Sequence, residues 1–546
     1  MPVITLYFHR IESILGKKVS REKIISTIPF IGLDIEEETK DHVNVEYSPN
    51  RPDYSTDYGI VSSLQGLLGI KTGMPKLKIK KGKDTITVNQ SVRKIRPYVA
   101  AIEARNGKLD DETIRQLIVM QEDLHNGIGR RRKKTSIGIH DLDKISFPLT
   151  YTTTSKDHKF ISLDSSHEMS VRDILRTTES GIKYGHLLNS EKALIILDSN
   201  GHTISLPPII NSEQTKISNN TRNLLVEVTG MEKNATEDTL AVIAYVLQNA
   251  GFELFSIKIT GADNSTQLLR PRNLILDSDL VNKMLGIKIS IPKMVLALRK
   301  NRLDAQIKGQ QIICTIPRYR TDIFGPMDLV EEVALGYGIE NLKPTIPESI
   351  SVGQKAKITT TLDAIESVMI GLGFSEVMNF GLTSQRVLCD YTKRDSSKIV
   401  SVFDSKSQEH TILRNAMLPG LIDTLSRNIH ESYPQKLFET GVVFLQKNGE
   451  IKEEIHLACV STHNDVSFTE IKSVLQSFLK LTSDLGCRTP TSTNPMFLAG
   501  SNADVFVFND KVGEIGLISP EVRDNFKLRV PIAGFEMTLT GLILNK

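Results

Sequence analysis

The sequence predicts a multidomain α+β protein, and three observations predict it. The chain has 546 residues, which at ordinary domain sizes makes roughly three to five domains. Apolar residues make up 40% and charged residues 24%, a balance that allows packed cores throughout. Helical stripes at i, i+3, i+4 spacing alternate with short β-like runs along the whole chain, joined by short connections. Neither low-complexity tracts nor short-period repeats interrupt the pattern.

The formal net charge of +3 excludes a uniformly basic nucleic-acid binder, so any nucleic-acid surface must be a local patch. Cys314, Cys389, Cys459 and Cys487 lie far apart and form no C-x-x-C pair. Neither a zinc ribbon nor a disulfide framework is expected. Met1-Pro2-Val3-Ile4 lacks the basic-then-apolar pattern of a secretory leader. No apolar run approaches the ~18 residues of a membrane span. A reducing cytoplasm is the expected compartment.

The first block, 1–88, is expected to be α+β. Ile60, Leu64, Leu67 and Leu68 follow i, i+4, i+7, i+8 and predict an amphipathic helix stopped by Gly69. The turn-rich Ser48-Pro49-Asn50-Arg51-Pro52-Asp53 leads into it, and a lysine-rich connection, Lys76 to Lys83, follows. The second block, 89–268, holds many β-like runs, among them 98–102, 194–197 and 224–228, with a helix over 240–248. Arg130-Arg131-Arg132-Lys133-Lys134 lies beside Gly127 and Gly129 and is placed on a loop. The third block, 269–345, reads as two helices (277–285 and 290–300), a strand (312–316) and a third helix (328–337). That order suggests a small winged-helix-like unit. Pro292 is tolerated in the first turn of its helix. The fourth block, 350–546, has helical stripes through Leu362–Leu372 and Met417–Leu425. The capping box Ser467-Phe468-Thr469-Glu470 starts a third helix. Strands over 437–445, 503–508 and 533–539 intervene.

Four separate patches resemble phenylalanyl-tRNA synthetase β subunits of the archaeal and eukaryotic type. They are Asn50-Arg51-Pro52-Asp53 with its helix; Ser136-Ile137-Gly138-Ile139-His140-Asp141-Leu142-Asp143; Arg318-Tyr319-Arg320-Thr321-Asp322 through Asp328-Leu329-Val330-Glu331-Glu332; and Leu413-Arg414-Asn415-Ala416-Met417-Leu418-Pro419-Gly420-Leu421 followed by Lys436-Leu437-Phe438-Glu439. Their order and spacing match over nearly the whole chain. The length fits the shorter archaeal form, which lacks the oligonucleotide-binding and anticodon-binding additions of the bacterial one. The resemblance implies an N-terminal α/β block, a β-rich tRNA-editing domain, a winged-helix-like Mg²⁺-binding domain and a class II synthetase-like, pseudo-catalytic antiparallel-sheet domain. It also implies an α2β2 heterotetramer that joins phenylalanine to tRNA(Phe), with ATP and phenylalanine bound by a separate catalytic α subunit.

Asp328, Glu331 and Glu332 fall at i, i+3 and i+4 and share a helix face. Asp322 lies on the incoming loop. Two readings stand. Asp328-x-x-Glu331 is itself a capping box, with acids in the first turn favoured by the helix dipole. Four hard oxygens without His or Cys also suit Mg²⁺, and the resemblance implies that the family carries Mg²⁺ on these four positions in a structural role.

A class II catalytic domain clamps the ATP phosphates with two arginines, whose planar, permanently charged forks are hard to replace. Here the first position holds Leu437, with Lys436 beside it as a weak substitute. At the second, Gly534-Phe535-Glu536 is followed by Met537. Amino-acid activation by this chain alone is not expected.

Phenylalanine and tyrosine differ by one hydroxyl, which an apolar pocket rejects poorly, so a second, hydrolytic site is useful. The resemblance puts it in the second block. Candidates are Ser205, Asn211, Ser212 and Glu213, with Glu227 and Thr229. Glu227 or Glu213 would pair with the tyrosine hydroxyl; Ser212, Asn211 and Thr229 would position water or the ester. The plainer alternative is a strand at 227–229, where Thr is favoured, and an ordinary turn at Pro207-Pro208. No Ser-His-Asp or Cys-His spacing indicates a protein nucleophile, and His125, His140 and His186 lack metal-ligand spacing. Arg130, Arg131, Arg132, Lys133 and Lys134 are candidates for tRNA phosphate contact, against the plainer reading of a solvated loop. The competing function is a non-enzymatic tRNA-binding and assembly scaffold with an inactive editing pocket.

Overall fold

Val3–Tyr7 alternates: Ile4 and Leu6 are buried while Val3 is exposed, the period expected of a strand with one face on a core. In the computed structural model this strand pairs antiparallel with His42–Glu46, which also pairs with Asp34–Glu38. Helices Phe8–Leu15 and Asp57–Leu67 pack against the same core, through Ile11, Leu15, Ile60 and Leu64. The structure describes residues 2–188, 191–261, 269–344, 346, 352–403 and 405–541. The chain divides into two compact units, 1–346 and 347–546. The expected domain boundaries at 268, 345 and 350 lie outside the described residues.

In the first unit, Asn50-Arg51-Pro52-Asp53 is a structural device. Arg51 holds Asp53 through two bonds of 2.9 and 2.8 Å and lies 3.9 Å over the Tyr54 ring. Thr56 then caps helix Asp57–Leu67 by accepting from Gly59 N. This helix approaches the end of helix Ile291–Lys300 so closely that a Cβ on Gly66 would sit 1.9 Å from the Lys300 carbonyl oxygen.

A nine-stranded mixed sheet dominates this unit. The lysine-rich connection does not stay irregular. It runs into strand Ile79–Val88, which pairs in parallel with Glu253–Thr260 and Leu149–Ser155, so the sheet begins before residue 89. One face is covered by helices Asp111–Asn126 and Lys233–Asn249, through Leu117, Met120, Leu240 and Ile243 packed on Ile137, Ile139, Val226 and Val228. The other face packs on itself around Tyr151, Leu206 and Leu225. Residues 272–337 add a three-stranded sheet, Arg272–Asp277, Gln311–Ile316 and Asp304–Lys308. Helices Ser278–Leu285, Ile291–Lys300 and Pro326–Tyr337 cover it. Tyr319 stacks on Tyr245 with ring centroids 3.6 Å apart and 4° between planes.

The second unit is built on a six-stranded, mostly antiparallel sheet, Ser375–Glu376, Gln435–Lys447, Glu450–Thr462, Ile532–Thr538, Asp510–Ile518 and Phe497–Val507 in spatial order. Helices Lys357–Gly371 and Phe468–Ser483 bury Ile365, Met369, Leu475 and Phe478 on one face. Helix Leu418–Arg427 buries Leu421, Ile422 and Leu425 on the other.

Candidate active site

Strands Thr135–Asp141 and Leu224–Gly230 pair antiparallel with Glu227 opposite Gly138 and Thr229 opposite Ser136. Alternation sends Ile137, Ile139, Val226 and Val228 to the helix-covered face. Ser136, Gly138, His140, Glu227 and Thr229 therefore share the other face. Strand Thr203–Leu206 lies second from one end of the nine-stranded sheet, and Leu224–Gly230 second from the other. Yet Ser205 Oγ donates to Glu227 Oε1 at 3.0 Å. The sheet curls until its two ends meet, and a cleft of ≈ 80 Å³ lies there. Gln121, Arg132, Ser136, Ser205, Asn211 and Glu227 supply most of its polar lining, and Pro207, Pro208 and Ile209 part of its apolar wall.

Glu227 is 3% exposed. Its second carboxylate oxygen, Oε2, is buried and has no hydrogen-bond partner among the described residues. His140 Nδ1 bonds the Thr215 hydroxyl at 2.9 Å. Its Nε2 stands 4.0 Å from Glu227 Oε1 and is likewise without a partner. Leaving such groups unpaired costs on the order of 1–3 kcal/mol each, so the cleft holds unsatisfied hydrogen-bonding capacity. Only glycine fits beside the pair: a Cβ on Gly138 would lie 2.4 Å from His140 Nε2 and 2.5 Å from Glu227 Oε1.

Of the six sequence candidates, the structure brings together Ser205, Asn211 and Glu227. Thr229 is fully buried behind them, within 2.9 Å of Ser136 Oγ and accepting from Arg96 Nε at 3.0 Å. Burial lowers the Arg96 pKa from its ordinary value. Ser212 and Glu213 correct the expectation. Ser212 Oγ donates to Ile161 O, and Glu213 Oε2 accepts from Asp164 N at 2.7 Å. The turn after Asn211 carries both away from the cleft. Ser136, Gln121 and Arg132 line the cleft and His140 stands beside Glu227 without being sequence candidates, although the alternation in Ser136-Ile137-Gly138-Ile139-His140 holds the signal for three positions of one face.

The basic run is a turn in which Arg130, Arg131 and Arg132 all have positive φ. It is not uniformly solvated. Arg132 donates to Ile209 O and Glu122 Oε1, each at 2.8 Å, and lies 4.2 Å over the Tyr184 ring, clamping the cleft wall. Lys134 pairs with Glu232 at 2.9 Å. Arg130, Arg131 and Lys133 are exposed.

The four carboxylates expected to share Mg²⁺ do not converge on one point. Arg320, 2% exposed, donates to Asp322 through Nε at 2.9 Å and Nη2 at 2.6 Å, and Nη2 also bridges to Glu332. Burial opposes the Asp322 charge, but the guanidinium outweighs it and holds this carboxyl below its ordinary range. At Glu332 burial wins and the carboxyl is pushed up. Asp328 closes the start of its helix, accepting from Phe324 N at 2.6 Å and Gly325 N at 2.8 Å. Glu331 faces solvent. Among the described residues no three His, Cys, Asp or Glu side chains gather so as to hold a metal ion. A Mg²⁺ ion needs oxygens converging at ~2.1 Å, and this arrangement does not fit one.

The two phosphate-clamp positions also need correction. Leu437 pairs with Val460, and Val460 with Gly534. Leu437 packs with that face, beneath helix Leu418–Arg427. Met537 is three residues beyond Gly534 and points into the opposite core with Phe438 and Phe535. Side chains at 437 and 537 never face one ligand, so they are not equivalent to a pair of clamp residues. Glu536, on the Leu437 face, accepts from Met417 N and Leu418 N at 2.9 and 3.0 Å.

Among the described residues no helix is long and apolar enough to cross a membrane. Family models match in three stretches: the phenylalanyl tRNA synthetase beta chain CLM domain over residues 342–539, the tRNA synthetase B5 domain over 274–339 and the B3/4 domain over 86–245. The phenylalanine–tRNA ligase β subunit of Archaeoglobus fulgidus is 37% identical, over 99% of this chain and 98% of that protein. Its counterpart in Methanosarcina barkeri is 36% identical over 100% and 99%. The crystal structure of an N-terminal fragment of the phenylalanyl-tRNA synthetase β subunit from Pyrococcus horikoshii superposes with a TM-score of 0.59 at 28% identity, covering 62% of this chain and 99% of the fragment.

Proposed function

This chain belongs to the family of phenylalanine–tRNA ligase β subunits, and from that premise we propose that it hydrolyses mischarged Tyr-tRNA(Phe) in the cleft around Glu227 while supporting a separate catalytic α subunit. The ligase as a whole forms Phe-tRNA(Phe) from ATP, phenylalanine and tRNA(Phe) in the cytoplasm. The observation that carries the editing reading is the partnerless, buried Glu227 Oε2. A tyrosine hydroxyl donates to it; a phenylalanine ring leaves it unpaired. That difference, about 1–3 kcal/mol, spares correctly charged tRNA about ten- to a hundredfold. Ser205 orients the carboxylate, and Asn211 and Ser136 are placed to hold the ester or water.

The second unit takes the part of a pseudo-catalytic domain. Leu437 lies beneath the apolar face of helix Leu418–Arg427, and neither position 437 nor position 537 carries an arginine. Met378, Phe380 and Phe403 are 93%, 79% and 98% exposed, an apolar surface suited to an α subunit in an α2β2 assembly. Residues 272–337 take the winged-helix-like part, held by Arg320 rather than by metal. Magnesium enters this reading with ATP on the α subunit. Arg130 and Lys133 are the members of the basic run available to tRNA phosphates.

The test is deacylation of Tyr-tRNA(Phe) by the assembled enzyme. Glu227→Ala, which removes the acceptor, is expected to slow it about ten- to a hundredfold and to leave phenylalanine charging intact. Parental deacylation by Glu227→Ala would overturn the assignment and leave the tRNA-binding scaffold reading, which the narrowness of the cleft favours.

A further inference from the structure

A second cavity, ≈ 340 Å³, lies between the start of helix Lys233–Asn249 and the loop around Thr321. Arg270, Arg272, Arg318 and Arg320 line it, with Phe324 and Asn234 at its rim; Asp238 is the one lining carboxylate among the described residues. Its arginines are not equally engaged. Arg320 is committed to Asp322 and Glu332, and Arg318 to Glu237 at 2.7 Å and Asp238 at 2.8 Å. Arg272 donates to the Ile323 carbonyl oxygen. Arg270 is exposed, and among the described residues no ion pair or hydrogen bond engages it. Phe324 is 80% exposed, although its own backbone N–H is fixed by Asp328. The cavity therefore presents unused guanidinium charge, the positive end of a 17-residue helix and a solvent-facing aromatic ring on an anchored loop.

We infer that this cavity binds one nucleotide of single-stranded RNA, with its phosphate on Arg270 and Arg272 and its base stacked on Phe324. The inference rests on the reading of the chain as a tRNA-binding subunit and adds where an unpaired stretch of tRNA is held. Cationic grooves with a stacking platform bind unpaired strands because every base offers a π-face and every nucleotide a phosphate. Duplex RNA is excluded by the stacking element, since its bases are already stacked. A free phosphate would use the guanidiniums and leave the ring idle. The sequence carries the pair in Arg270-Pro271-Arg272, where the proline restrains the backbone between the two cations.

The experiment uses the assembled α/β enzyme, fluorescently labelled tRNA(Phe) and a salt series. Arg270 and Phe324 are exposed, so Arg270→Ala and Phe324→Ala leave the fold intact. Arg270→Ala is expected to weaken tRNA binding about tenfold and to reduce the slope of log affinity against log salt by about one. Phe324→Ala is expected to weaken binding about tenfold with the slope unchanged. A short single-stranded RNA should compete with tRNA on the parent and poorly on either variant. Parental affinity and slope in both variants would overturn the inference, and so would loss of α-subunit copurification without change in tRNA affinity, which would make the patch a protein interface. A parent enzyme that fails to bind tRNA at all would instead overturn the functional reading itself.

Discussion

Replacing Arg320 with methionine removes the guanidinium that bridges Asp322 and Glu332 while keeping much of its volume. Arg320 and Glu332 are 2% and 8% exposed, so neither charge has water to fall back on. Breaking a buried pair from one side costs about 3–5 kcal/mol, because the stranded carboxylates keep their desolvation penalty. The cost should appear locally, at helix Pro326–Tyr337, which carries Glu332. Native-state hydrogen exchange of that helix is the assay, and a loss of about 3–5 kcal/mol accelerates exchange roughly a hundred- to a few-thousand-fold. The sign with pH follows from the two shifts. Asp322 is held below its ordinary range by Arg320, so its stabilisation is present above the unfolded carboxyl pKa of about 4 and is lost as pH falls further. Glu332 is pushed up, and protonation relieves it as pH falls. Both make the difference between parent and variant largest near neutrality and smaller towards ~pH 4. Arg320→Lys should recover only part, since an ammonium cannot reproduce the fork. Parental protection in Arg320→Met would refute the argument that this guanidinium holds the helix.

Three further outcomes follow from the same geometry. Gly138→Ala places a methyl 2.4 Å from His140 Nε2 and 2.5 Å from Glu227 Oε1. It should slow Tyr-tRNA deacylation at least about tenfold while phenylalanine charging continues; equal loss of both activities would mean the strand pair itself has failed. Magnesium added at millimolar concentration, or removed by chelation, should leave exchange at helix Pro326–Tyr337 unchanged, and a clear rise in protection with Mg²⁺ would restore the metal reading of Asp322, Asp328, Glu331 and Glu332. Met537→Arg puts an unpaired cation into a core where Met537 is 1% exposed; it should lower the denaturant midpoint by several kcal/mol equivalent, and parental stability would show that position 537 reaches solvent after all.

What could be read from the sequence depended on whether a signal was local. Helix Asp57–Leu67 was legible because its stripe and its stop at Gly69 lie within three turns, and Gly69 does take φ +68. The strand over 224–228 was legible for the same reason. Sequence singles out Glu227 and Ser205 separately and does not show that they touch. Their contact depends on a nine-stranded sheet closing on itself, which no window of sequence encodes. Glu213 and Glu227 looked equivalent as acids in neighbouring segments. They differ because one follows the turn after Asn211 and the other sits mid-strand opposite a glycine. The acids at 322, 328, 331 and 332 illustrate the reverse problem. Their spacing predicts one helix and its entry loop, as found at Pro326–Tyr337, and spacing supports capping and metal binding alike. The deciding residue was Arg320, two positions before Asp322, whose charge was legible and whose burial was not. Arg320 stands between Asp322 and Glu332, which leaves Asp328 to the capping role that local sequence already gave it.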